Sequence, residues 1–202
     1  MPHILITAFE PFAEWQANSS WLTLIELTKD LPEVAEIKTR LYPVDFAQMR
    51  VKLDEDLAGA PDFCLHLGQA AGTATIQLER FALNMAQDSQ GPARPLVEQG
   101  PAAFLSELPL DDWCGAIKEQ GIPAHVSDHA GTYLCNGIYY TNHYLSRARQ
   151  LATKCLFVHL PLETSQTLEN RKDLPSLPRE LMAQAIRTIV HRAADWVVEH
   201  RS

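Results

Sequence analysis

The 202-residue chain carries 17 Lys plus Arg against 25 Asp plus Glu, a net charge of −8, with 46% hydrophobic and 21% charged residues. That balance belongs to ordinary globular proteins and excludes disordered and collagen-like classes, while the negative charge opposes the phosphate contacts on which nonspecific nucleic-acid binding depends. No apolar run approaches the ~20 residues of a membrane helix, and the opening MPHILITAF lacks a basic lead-in, so the chain reads as soluble, unexported and cytoplasmic.

His3–Phe9 is apolar almost throughout, the pattern of a strand covered on both faces. Asn18 or Ser19 then caps a helix running to about Lys29, and Ile37–Tyr42 is a second strand. Pro43 and Asp45 lead into a helix carrying Phe46, Met49, Val51 and Leu53. Phe63–Leu67 is a third strand, and Thr75–Met85 alternates roughly with period two, so it is extended at least in part. From Ala86 to Pro101 Pro, Gly and polar residues collect without periodicity, as in a surface excursion with few apolar anchors. Asp111–Gln120 is a helix stopped by Gly121, Ala124–Ser127 a short strand, and Gly131 opens a turn into a helix reaching Gln150. Lys154–His159 is the last core strand and Arg179–His200 the closing helix. Strands alternating with helices and no linker predict one α/β domain over residues 1–202.

Four cysteines, Cys64, Cys114, Cys135 and Cys155, lie far apart with no CxxC pair, as free thiols in a reducing compartment do. Cys135 follows the turn Ala130-Gly131-Thr132 and opens a helix, where the dipole and unpaired N–H groups favour thiolate and can serve an oxyanion; by pattern alone it reads first as one of four small buried residues. His159 ends an apolar strand at the carboxyl edge of the sheet, where open α/β sheets place their ligands. It is either a general base for Cys135 or a strand-end histidine. Glu79, within IQLERFALN, is either the group that orients that imidazole or half of a surface pair with Arg80. His125 and His129 straddle a strand end without a third ligand, so no metal is expected, and no nucleotide-binding or serine-hydrolase motif occurs.

Four segments, in this order, resemble the pyrrolidone-carboxylate peptidases (pyroglutamyl peptidase I). Thr7-Ala8-Phe9-Glu10-Pro11-Phe12 with Asn18-Ser19-Ser20 is similar to the family's TGFEPFG…NPS opening. Gly68-Gln69 followed by Ile76–Asn84 is similar to its glutamate segment, Ala130–Asn136 to its AGT[FY]xCN cysteine segment, and Phe157–Pro161 to its FIHxP histidine segment. The resemblance implies a three-layer α/β/α domain with a twisted, mostly parallel sheet of the phosphorylase/hydrolase kind, usually a homotetramer, with no cofactor. It implies Cys135 as nucleophile, His159 as base and Glu79 as orienter in a cysteine exopeptidase that removes N-terminal pyroglutamate from peptides by way of a thioester. It further implies a lactam pocket with Phe9 and Phe12 as apolar walls, Tyr133 and Leu134 closing the far side, and Gln69 and Asn18 bonding the ring amide. By residue type alone, Phe9 and Phe12 read as core.

The departures from the family pattern have chemical content. Ala8 and Ala13 replace glycines, Ala70-Ala71 stands where a glycine pair is usual, and Gln77-Leu78 replaces Thr-Pro. Ser89 stands where the family has an arginine beside the oxyanion site, with Arg94 near but unaligned. Loss of an oxyanion donor costs roughly 10²–10³ in turnover. The alternative to the peptidase is therefore a weak or inactive paralogue that binds a lactam or capped peptide. A phosphorylase-like enzyme would leave the Cys/His/Glu set unexplained.

Overall fold

The computed structural model describes residues 1–88, 91–169 and 173–201. In chain order the elements are β1 (His3–Phe9), α1 (Ser19–Thr28), β2 (Glu36–Tyr42), α2 (Phe46–Leu57), β3 (Phe63–Gln69), β4 (Ile76–Glu79), β5 (Phe81–Leu83), β6 (Ala103–Leu105), α3 (Leu110–Lys118), β7 (Ala124–Ser127), α4 (Leu134–Ala148), β8 (Lys154–Leu160), β9 (Leu162–Glu163), α5 (Thr164–Glu169), β10 (Ser176–Leu177) and α6 (Arg179–Glu199). The major elements stand within a few residues of their sequence-predicted positions. β5 falls within the stretch Thr75–Met85 expected to be extended; its partner β6, the pair β9–β10 and the short α5 were not anticipated, because two or three residues carry no readable period.

The strand order is β2-β1-β3-β8-β4-β7, parallel throughout except where β4 runs antiparallel to β8. Strand parity divides the core into two layers. Ile4 and Ile6, Leu65 and Leu67, Leu156 and Val158, and Ile76 and Leu78 face one side, where they pack with Leu24 and Leu27 of α1, Trp113 and Ile117 of α3, and Ile186 and Ile189 of α6. Leu5, Cys64, Cys155 and Phe157 face the other, against Met49 and Leu53 of α2 and Leu134, Ile138 and Tyr139 of α4. This is the expected α/β/α layering. Among the described residues no helix is long and apolar enough to cross a membrane.

The helix ends follow local chemistry. Asn18 caps α1 by accepting from the Ser20 N–H at 3.0 Å, and Asp45 caps α2 by accepting from the Gln48 N–H at 2.8 Å. The segment after β5, expected to be weakly anchored, is tied down in its described part. Ala86 and Arg94 exchange backbone bonds at 2.7 and 2.9 Å. Asn84 holds the Val97 N–H and C=O and reaches the Gly100 carbonyl, so hydrogen bonds do here what apolar residues do elsewhere.

Two histidines of the α4-side layer, His66 buried and His143 half-buried, bear on the acid stability. His66 sits between the Thr7 hydroxyl and the Asn142 amide, each at 2.8 Å, and burial pushes its pKa down to about 3. His143 stacks on Phe104 and meets the Tyr139 ring at a tilt; desolvation lowers it to about 4 against the opposing pull of Glu107. Both folded values lie below the ordinary 6.5, so the unfolded chain takes up protons first as pH falls. Their stabilisation is complete above about pH 6.5 and is lost as pH falls toward about 4 and then about 3. Urea midpoints should therefore drop between pH 7 and 5. The drop should be shallower in His143→Phe, which keeps the stack and removes a titrating nitrogen; an unchanged slope would show that His143 does not contribute.

Candidate active site

Parity also places the three reactive groups. In β8, Phe157 and His159 share the face opposite Leu156 and Val158; in β4, Gln77 and Glu79 share the face opposite Ile76 and Leu78. Both pairs thus look toward α4. The register matches Gln77 with His159 and Leu78 with Val158, so Glu79 and His159 form a diagonal pair on one face. The His159 Nδ1–Glu79 Oε1 distance is 2.7 Å, with Glu79 wholly buried and His159 8% exposed. Arg80 turns away to Asp128 at 3.1 Å and Asp111 at 3.6 Å, which removes the surface Glu79–Arg80 pair as an account of Glu79.

Cys135 is the second residue of α4. The first intrahelical donor is the Gly137 N–H, bonded to the Tyr133 carbonyl at 2.9 Å, so the N–H groups of Leu134, Cys135 and Asn136 have no acceptor within the helix. Gly131 enables the preceding turn at φ +77, a conformation that disfavours any side chain. The thiol approaches β3 where Gly68 leaves room: a Cβ there would lie 2.9 Å from Cys135 Sγ and 2.5 Å from the Phe157 ring. Cys135 and Glu79 both act on the His159 imidazole through hydrogen bonds and charge. Burial alone would lower the imidazole pKa, but the Cys135 sulfur and then Glu79 outweigh it, holding His159 well above its ordinary value and protonated at neutral pH.

Two α4 side chains that sequence reasoning passed over hold this arrangement together. Tyr139, one turn beyond Cys135 and fully buried, donates to the Glu79 main-chain carbonyl at 3.0 Å. Asn136 accepts from the Leu83 N–H at 2.7 Å and donates to the Leu83 and Met85 carbonyls at 2.9 and 2.8 Å. The helix that carries the thiol therefore grips the segment that carries the carboxylate. The only legible signal was a polar residue beside the cysteine and a tyrosine on its face.

A cavity of about 540 Å³ opens beside Cys135 and His159. All six residues expected around a lactam line it: Phe9, Phe12, Asn18, Gln69, Tyr133 and Leu134. Phe9 is buried and also belongs to the core, whereas Phe12 is 46% exposed and meets Tyr133 ring to ring at 5.3 Å, so Phe12 is not a core residue. The Asn18 side chain is already engaged. Its Oδ1 accepts from the Ser20 N–H and hydroxyl, and its Nδ2 donates to the Glu10 carbonyl at 3.1 Å. Gln77 and His129 line the cavity as well; parity with Glu79 signalled the first, and nothing in the sequence signalled the second. His129 and His125 have separate partners, the Gly131 N–H and the Thr75 hydroxyl, and among the described residues no metal-ligand cluster exists. Ala13, at a family glycine position, has φ +54, which costs a non-glycine residue roughly 1 kcal/mol. Ser89 lies outside the described residues. Arg94 lies over the Phe46 ring at 5.9 Å, and that ring meets the edge of Tyr133 at 5.4 Å, so its charge stands behind the pocket wall.

Residues 2–195 match the family model for pyroglutamyl peptidase. The chain is 36% identical over 199 residues to the pyrrolidone-carboxylate peptidase of Clavibacter michiganensis, covering 94% of this chain and 92% of the relative. It is 34% identical over 195 residues to that of Thermococcus onnurineus, covering 93% and 96%. The crystal structure of the pyrrolidone carboxyl peptidase from Fervidobacterium islandicum superposes with a TM-score of 0.90 at 31% identity, over 96% of this chain and 99% of that one. The chain belongs to the pyroglutamyl peptidase family. This is a family of cysteine peptidases that remove N-terminal pyroglutamate, and the fold of this pyroglutamyl peptidase family member is that of its solved relatives.

Proposed function

We propose that the chain hydrolyses the amide bond that follows an N-terminal pyroglutamyl residue of a peptide, with Cys135 as nucleophile, His159 as acid and base, and Glu79 as the group that orients and charges the imidazole. The observation that carries this is the Glu79–His159 contact of 2.7 Å beside a thiol at a helix start, at the floor of an apolar cavity. The imidazole holds the thiol proton, and the thiolate attacks the pyroglutamyl carbonyl carbon. The oxyanion meets the N–H groups of the first turn of α4. His159 gives its proton to the departing amine as the C–N bond breaks, leaving a thioester. It then takes a proton from water, whose oxygen displaces the sulfur and releases pyroglutamate. Phe9, Phe12, Tyr133 and Leu134 sandwich the flat lactam, Gln69 bonds its amide, and Asn18 holds the loop in place. No cofactor is required. The enzyme works in the cytoplasm, as a homo-oligomer of the tetrameric kind.

A fluorogenic pyroglutamyl amide tests the reading. Hydrolysis should be lost in step with alkylation of one thiol. That thiol should be Cys135, because burial pushes Cys64 up to about 12, Cys114 to about 11 and Cys155 well above its ordinary value, leaving them protonated at neutral pH. Lactam binding without turnover in the folded protein would instead favour a binding protein.

A further inference from the structure

Gln69 lines the cavity at the end of β3, directly after the Gly68 backbone that accommodates Cys135 Sγ. An amide at such a place can read a substrate in either of two ways, by donating from Nε2 or by accepting at Oε1. Here the choice follows from main-chain groups whose roles are not interchangeable. The Glu163 N–H donates to Gln166 Oε1 at 2.8 Å, so the other end of the Gln166 side chain must be its NH₂. That NH₂ donates to the Ala17 carbonyl and to Gln69 Oε1, each at 2.9 Å. The Ser19 N–H donates to the same Gln69 oxygen at 2.8 Å. Both lone pairs of Gln69 Oε1 are thereby used, while Nε2 has no hydrogen-bond partner among the described residues.

We propose that Gln166 is a specificity-determining positioning residue: it holds the Gln69 amide with Nε2 as the cavity's donor, so that the pocket selects a cyclic residue bearing a ring carbonyl. Flipping Gln69 would set its NH₂ against the Ser19 N–H and the Gln166 NH₂, two donor-to-donor contacts in place of two hydrogen bonds. A pyroglutamyl ring offers the carbonyl that a prolyl ring lacks, and a pocket whose donor is left unpaired rejects the second. Gln166 does not touch substrate. It acts through Gln69, and it lies on α5, next to the β9 strand that follows His159 in the chain. The inference rests on the cavity being the pyroglutamyl site.

The test is a double-mutant cycle with Gln166→Glu and Gln69→Leu, read as kcat and KM on a pyroglutamyl amide. A carboxylate at position 166 faces the Ala17 carbonyl and Gln69 Oε1 with lone pairs and draws Nε2 away from the cavity. Gln166→Glu should raise KM roughly tenfold to a hundredfold while kcat changes by less than about threefold. In the Gln69→Leu background the same substitution should change KM by less than about twofold, because no amide remains to orient. Gln166→Met, which leaves the Ser19 N–H as the sole orienting group, should raise KM less than Gln166→Glu does, and it serves as the reading if the glutamate variant does not fold. An unchanged KM in Gln166→Glu, or an equal rise in both backgrounds, overturns the proposal. A wild-type protein that fails to hydrolyse the amide overturns the proposed function itself, and this proposal with it.

Discussion

Cys135→Ala should reduce pyroglutamyl amidase turnover by roughly 10⁴–10⁶, to the level of reagent background, because no other group can form the acyl intermediate. Stability should hardly move. The residue is half-buried at the start of α4, and shortening its side chain by one sulfur leaves the Asn136 and Tyr139 bonds intact, so the stability should fall by no more than a surface-like change of about 0.5 kcal/mol. The measurement is kcat against melting temperature on the same preparation. Turnover retained within tenfold would exclude Cys135 as the nucleophile, given the cost of losing one.

The second large effect is expected from Glu79→Gln. The carboxylate is wholly buried, with Oε1 on His159 and Oε2 unpartnered among the described residues, so its charge is directed at the imidazole. Glutamine keeps the shape and removes the charge. Turnover should fall roughly 10³–10⁴-fold with KM little altered, since the lost interaction is with an imidazolium rather than with substrate. The pH profile carries the sign. In the wild type Cys135 and Glu79 raise His159 above its ordinary 6.5, so the protonated imidazole persists above neutrality. Removing Glu79 leaves burial, which lowers the value, less well opposed, and the alkaline limb of kcat/KM should move to lower pH. A change confined to KM would move Glu79 out of the catalytic set and into the binding wall.

The linkage also bears on stability. A folded-state value above the unfolded one makes the His159 contribution complete below about pH 6.5 and lost as pH rises through the folded value, opposite in sense to His66 and His143. The three histidines therefore bound the stable range from both sides.

Much of this protein was legible in one dimension. The apolar run His3–Phe9 reads as a strand covered on both faces and Phe63–Leu67 and Lys154–His159 as strands, and the caps at Asn18 and Asp45 start their helices through side-chain oxygens adjacent in sequence. Glu79 stood out as a charged residue within the mostly apolar stretch IQLERFALN. The motifs around Cys135 and His159 identified their family before any contact was visible.

What only the tertiary structure decided lies in contacts between residues far apart in the chain. The antiparallel placement of β4 against β8 sets Glu79 diagonally from His159 across 80 positions, a register no local period encodes. Tyr139 reaches the Glu79 carbonyl, Asn136 clamps Leu83, and Gln166 orients Gln69 across 97 positions through a side-chain amide whose direction is dictated by main-chain donors from two further segments. The Asn18 side chain likewise joins two segments, its oxygen capping α1 and its amide donating to the Glu10 carbonyl. Hydrophobic periodicity reports which face of an element is buried; which polar group meets which is settled by packing, because each buried donor and acceptor is satisfied only at one relative placement of the elements that carry them.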